Sequence, residues 1–243
     1  MSKLFAFGAA LLAMACALPS FAQDDASKCP EGFVQLFNGK DLTGWKPCKR
    51  DYLPYPLLEM TDAERADFYA KHQAEFDKCW TVENGELVND GKGPYASTEK
   101  FYKDFELRLE YKTVAKADSG IYLRGNPQVQ IWDTTEAGGK WDLGADKGSG
   151  ALWNNQKNAR MPLAYADKPF GEWNTVRITM KDDVVNVWLN GVQTVKDTVM
   201  EYTWDRSKPV PPTGPIQLQT HGGEIRWRNI FIKELYSSLA LRR

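Results

Sequence analysis

Apolar and polar side chains alternate one for one along much of this chain. The clearest stretch is Phe105-Glu106-Leu107-Arg108-Leu109-Glu110-Tyr111, where four apolar residues face one way and three charged ones the other. A period of two is that of a strand with one buried face. Similar reading predicts strands over residues 80–83, 86–88, 120–124, 128–133, 151–153, 173–180, 184–189, 215–220 and 225–235. Asn84-Gly85 separates the first two of these and Asn190-Gly191 makes another tight turn, as Asn-Gly favours the backbone twist of a hairpin. An earlier strand begins at Gly32 and ends near Asn38-Gly39. Many short strands punctuated by turns predict an all-β fold, an antiparallel β-sandwich.

Residues 46–79 break this rhythm and read as a small helical insert. A Pro-rich start (Pro54, Pro56) leads to Thr61-Asp62-Ala63-Glu64, the Thr-x-x-Glu capping box of a helix that should run through Phe68, Tyr69 and Phe76 towards Cys79. His72 on this helix reads as a surface or packing residue. Two long loops are predicted over 134–150, rich in glycine, and 154–171, which contains Pro162 and Pro169.

The chain opens with Lys3, an apolar run from Leu4 to Leu18, and Ser20-Phe21-Ala22, which together read as a signal peptide over residues 1–22. The rest, 23–243, is expected to be one sandwich domain, periplasmic or secreted, with lipoprotein processing at Cys16 as the alternative. No stretch is long and apolar enough for a transmembrane span. A net charge of −1 with scattered basic residues excludes nucleic acid as an expected partner. Three cysteines follow the leader. Cys48 and Cys79 bracket the insert and are expected to form a disulfide, leaving Cys29 over.

Alternation also sorts side chains on the predicted strands. With Ile121, Leu123, Val129, Ile131, Ile216 and Leu218 turned inward, the outer side carries Tyr122, Arg124, Gln128, Gln130, Trp132, Gln217, Gln219 and His221. If these strands are neighbours, amides, a guanidinium and rings share one face, a mixture suited to the hydroxyls and C–H faces of a sugar. Nine tryptophans and ten tyrosines lean the same way. Antiparallel sheets commonly leave one face in water, but such a face is usually rich in Lys, Glu and Thr.

Seven motifs occur in order: Leu36-Phe37-Asn38-Gly39-Lys40-Asp41-Leu42-Thr43-Gly44-Trp45, Asp118-Ser119-Gly120-Ile121-Tyr122-Leu123-Arg124, Pro127-Gln128-Val129-Gln130-Ile131-Trp132-Asp133, Glu172-Trp173-Asn174, Leu189-Asn190-Gly191, Gln219-Thr220-His221-Gly222-Gly223 and Arg228-Asn229-Ile230. Together, across residues 33–235 and interrupted by the insert, they resemble the 3-keto-disaccharide hydrolase domain family. The resemblance implies a concanavalin-like sandwich, or jelly roll, and an oligosaccharide or glycoside substrate oxidised to a ketone at C3.

A 3-ketone acidifies the C2 proton, and its removal gives an enolate that expels the C1 substituent. Addition of water then makes the outcome hydrolysis rather than elimination. This chemistry needs a base, a group to stabilise the enolate and an acid. His221 is the expected base, and Arg124 the oxyanion or hydroxyl clamp. Asp133 and Glu224 are alternative acid–base groups. Gln130 and Gln219 would position hydroxyls, and Trp132 would stack on the ring. No cofactor is expected, and a divalent metal at Asp133 and His221 has no supporting ligand spacing. Gln128 stands where many family members carry a carboxylate, so this chain needs a different base or only binds sugar. A lectin-like binding module is therefore the competing class. A His–carboxylate pair converging on the face would favour the enzyme. A glycosidase with two flanking carboxylates ranks last, because alternation brings no such pair to the face.

Overall fold

The computed structural model describes residues 28–49, 54–126 and 128–235, so the expected signal peptide and Cys16 lie outside the described residues. Thirteen strands are described: β1 (Val34–Gln35), β2 (Trp45–Cys48), β3 (Trp80–Glu83), β4 (Glu86–Asn89), β5 (Tyr95–Thr98), β6 (Phe105–Thr113), β7 (Asp118–Tyr122), β8 (Gln128–Trp132), β9 (Asn174–Lys181), β10 (Val184–Leu189), β11 (Val192–Val199), β12 (Gln217–Leu218) and β13 (Ile225–Glu234). They form two antiparallel sheets. One runs β11-β10-β9-β6-β13-β4-β3 with β1 against β13, and the other β2-β5-β12-β7-β8. The fold is the expected antiparallel β-sandwich.

Strand β6 shows why. Phe105, Leu107, Leu109 and Tyr111 are all buried, facing Ile121, Val129, Ile131 and Leu218 of the other sheet within one core. Burying a side chain of this size contributes roughly 1.5–3 kcal/mol. Both Asn-Gly turns take left-handed backbone, with φ of 52° and 80° at Asn84 and Gly85 and of 51° and 81° at Asn190 and Gly191, as a type I′ hairpin requires.

The insert holds helices α1 (Pro54–Glu59) and α2 (Asp62–Cys79), and α2 starts with the expected reciprocal cap between Thr61 and Glu64. It begins later than the sequence suggested, because Trp45–Cys48 is a sheet strand. Pro47 hides that strand from periodicity, and the chain tolerates it because β2 lies at the sheet edge. Tyr95–Thr98 lacks alternation and was likewise not predicted, nor was Val192–Val199, whose pairing with β10 is shifted twice. Residues 151–153 form no strand. They nevertheless flank β8, where Gln130 N–H donates to Ala151 O at 2.9 Å and Gly150 N–H donates to Gln130 O at 2.8 Å.

The expected disulfide is absent: among the described residues no disulfide joins Cys29, Cys48 and Cys79. Cys48 packs with Leu57, Phe68 and Tyr69 beside the middle of α2. Cys79 ends α2 and lies against Gly93. The ten residues of helix from Tyr69 to Cys79 span about 15 Å, whereas a disulfide needs Cα atoms within about 7 Å.

Candidate active site

The outer face of the five-stranded sheet is assembled by register. Gln217 of β12 lies opposite Tyr122 of β7, which lies opposite Gln128 of β8. One row along, Gln219 N–H donates to Gly120 O at 2.9 Å, and Gly120 lies opposite Gln130. In the next row Asp118 lies opposite Trp132 and donates its N–H to Gly222 O at 2.8 Å. His221, the residue before that glycine, thereby comes beside Asp118.

A hydrogen-bonded chain crosses this face. Gln128 Nε2 donates to Gln130 Oε1 at 2.6 Å, and Gln130 Nε2 donates to Asp118 Oδ1 at 2.9 Å. On the other carboxylate oxygen, His221 Nδ1 lies 2.8 Å from Oδ2, which also pairs with Lys140 Nζ. A Cβ at Gly120 would fall 2.5 Å from Gln128 Cγ, so glycine there leaves room for the first link. Burial alone would raise the Asp118 carboxyl. The hydrogen bonds and charges of His221 and Lys140 outweigh it and hold the group below its ordinary value. The Asp118 side chain is 11% exposed and that of His221 41% exposed, so the carboxylate is inside and the imidazole at the rim. With Nδ1 bonded to Asp118, Nε2 is the nitrogen left without a hydrogen-bond partner among the described residues.

The structure thus gathers Tyr122, Gln128, Gln130, Trp132, Gln217, Gln219 and His221, but not Arg124. After Tyr122 the alternation stops, because Arg124 takes a φ of 55°. Its side chain runs inward, donating to Lys103 O at 2.6 Å, Pro211 O at 3.2 Å and Asp104 Oδ1 at 3.1 Å. It ties β7 to the start of β6 and cannot reach the rim. Asp133 is also buried. Its carboxylate accepts from Thr135 N–H and hydroxyl and from Lys116 N–H, which makes it a turn cap. Glu224 pairs with Arg226 at 2.6 Å.

The rings and remaining amides of the face are engaged as well. Trp132 is buried, donates to Gly148 O at 3.0 Å and meets Trp153 edge to face. Tyr122 stacks on Trp204 with 9° between ring planes. Neither ring offers a free sugar-stacking surface. Gln219 Nε2 reaches the Tyr95 and Tyr122 hydroxyls at 3.3 and 3.4 Å, and Gln217 Nε2 reaches Ser97 Oγ at 3.3 Å. Among the described residues, no three His, Cys, Asp or Glu side chains gather as a metal-holding group.

Sequence reasoning missed Asp118 and Lys140. Asp118 was legible, since residues 118, 120 and 122 share a face once the strand is begun two residues earlier. Lys140 sits between two single-turn 3-10 helices in the glycine-rich loop, where no period points to it. A cavity of about 760 Å³ lies on the outer side of the eight-stranded sheet, among Arg108, Glu110, Arg177 and Trp188. It is on the opposite sheet from His221. Arg108 and Arg177 both pair there with Glu106, so these cations are already matched by a carboxylate.

The 3-keto-alpha-glucoside-1,2-lyase-like domain model matches residues 32–233. A 3-keto-disaccharide hydrolase of Bacteroides thetaiotaomicron is 22% identical over 272 residues, covering 88% of this chain and 83% of that protein. A crystal structure of a proposed glycosyl hydrolase from Parabacteroides distasonis matches with a TM-score of 0.59 at 25% identity, covering 85% of this chain and 95% of that one. A second from the same organism matches with a TM-score of 0.54 at 27% identity, over 65% and 91% of the two chains. With the domain match covering most of its length, this chain belongs to the carbohydrate-active 3-keto-alpha-glucoside-1,2-lyase-like domain family.

Proposed function

We propose that this protein cleaves 3-keto-glycosides, with His221 as the base that takes the C2 proton. The observation that carries this reading is the 2.8 Å contact between His221 Nδ1 and Asp118 Oδ2. The carboxylate fixes the ring tautomer and stabilises the imidazolium that forms, leaving Nε2 to accept a proton at the rim. Lys140 pairs with the same oxygen. In the substrate, C2 and the C3 carbonyl are neighbours, so a base and a cation sharing one carboxylate suit the proton to be removed and the oxygen that becomes negative.

In this scheme the C2–H electron pair becomes the enolate, which re-forms the ketone as the C1–O bond breaks. The departing oxygen takes the proton held by His221. The product is an unsaturated keto-sugar, and water adding across C1 and C2 completes a hydrolysis. The apolar run from Leu4 to Leu18 and the Ser20-Phe21-Ala22 that follows support a periplasmic or secreted setting for this activity. No helix among the described residues is long and apolar enough to cross a membrane.

The test is incubation of the protein with 3-keto-glucosides and their unoxidised parents, with release of the C1 substituent as the readout. Turnover of the ketones alone, lost in His221→Ala, is expected. Tight glycan binding with no product would overturn the enzyme in favour of a lectin-like module.

A further inference from the structure

Three aromatic side chains are exposed among the described residues, Trp141, Tyr165 and Phe170, and all lie on the two long loops, 134–150 and 154–171. Two of them are anchored to the same residue. Trp141 Nε1 donates to Thr134 O at 3.0 Å, and the Tyr165 hydroxyl lies 2.9 Å from Thr134 Oγ1. Tyr165 is also packed on Gly148, where a Cβ would lie 3.3 Å from its Cα. Both rings are thus held by their polar ends while remaining 46% and 56% exposed.

The other half-exposed tryptophans are treated differently. Arg160 lies over Trp153, Arg228 and Lys112 over Trp173, and Arg177 over Trp188, while Tyr122 stacks on Trp204. No described cation or ring covers Trp141 or Tyr165. An exposed indole that is immobilised but uncovered leaves apolar area in water without the entropy of free motion, which is how a binding surface is pre-ordered. Its position is informative too, because Trp141 directly follows Lys140, the residue paired with Asp118.

We infer that Trp141 and Tyr165 form a stacking platform for a second sugar ring, the one leaving from C1. This rests on the reading of His221 and Lys140 as the reaction centre. The bond that breaks joins C1 to the leaving group, so a glycoside seated at that centre carries a group into the neighbouring space. The C–H face of a pyranose matches a flat, anchored aromatic ring.

The experiment compares kcat/KM for a 3-keto-disaccharide and for a methyl 3-keto-glucoside in the wild type, Trp141→Ala, Tyr165→Ala and Trp141→Phe. For Trp141→Ala the disaccharide value is expected to fall about tenfold more than the methyl value, mainly through KM, with Trp141→Phe recovering most of the loss. Parallel falls on both substrates, or none on the disaccharide, would overturn the platform. A wild type that turns over neither substrate instead overturns the reaction proposed for His221. Calorimetric titration with an unoxidised gluco-disaccharide then decides the platform: binding lost in Trp141→Ala supports it, and absent or unaltered binding sinks it.

Discussion

Gln130 Nε2 sits 2.9 Å from Asp118 Oδ1, so the amide holds one carboxylate oxygen while the other faces His221 and Lys140. Gln130 was expected to reach for sugar hydroxyls. Its amide is engaged with Asp118, and Gln128 donates to Gln130 in turn. The carboxylate is kept charged by its partners and kept in place by its neighbours.

Replacing Asp118 by Asn keeps the size of the side chain and removes the charge that steadies an imidazolium. The kcat/KM on a 3-keto-glycoside should fall by about 10²–10⁴-fold, the usual range for a general base. Far-ultraviolet circular dichroism should remain that of the wild type. Undiminished turnover in this variant would remove His221–Asp118 from the mechanism.

Arg124→Ala should act on stability. It strips the guanidinium from Asp104, leaving the Asp182 N–H on that carboxylate, and leaves the Lys103 and Pro211 carbonyls without this donor. Breaking a buried pair of this kind costs about 3–5 kcal/mol, read as a lower urea midpoint. Arg124→Lys should recover little, because an ammonium cannot reproduce the three directed contacts of the planar fork. A midpoint equal to the wild type's would show the ion pair to be dispensable.

Acid should destabilise the fold through Asp118 and Asp133. At Asp118 burial raises the carboxyl and the pairing with His221 and Lys140 outweighs it. At Asp133 burial is outweighed by hydrogen bonds from Thr135 and Lys116. Both folded values lie below the unfolded one of about 3.9. Their contribution is therefore present above about pH 4 and lost as pH falls through the folded values. Unfolding free energies measured down to about pH 2 should decline, and the decline should be shallower in Asp118→Asn. Identical slopes in the two proteins would contradict the shift at Asp118.

The thiols should report their surroundings. Cys29 is exposed and Cys48 buried, with burial pushing the Cys48 thiol up to about 12. Iodoacetamide should label Cys29 in the native protein and Cys48 only after unfolding, because the thiolate is the reacting form. Dithiothreitol should leave the thermal midpoint unchanged. Detection of a disulfide-linked Cys48–Cys79 peptide under non-reducing conditions would contradict the absence of that bond.

The sequence by itself determined whatever depends on neighbours a few residues apart. The period of Phe105–Thr113, the two Asn-Gly turns and the Thr61–Glu64 cap are local preferences, and each appears where the residues put it. Period two also sorted the amides of β8 and β12 onto one face with Tyr122 of β7, since side chains two apart point the same way. Tertiary structure decided the rest. A left-handed φ at Arg124 turned the guanidinium into the interior, and Trp153 met Trp132, which is buried. The helix between Tyr69 and Cys79 kept two cysteines apart. Lys140 and His221 converge on Asp118 from distant parts of the chain. Such meetings depend on how loops and sheets pack, which no local period encodes.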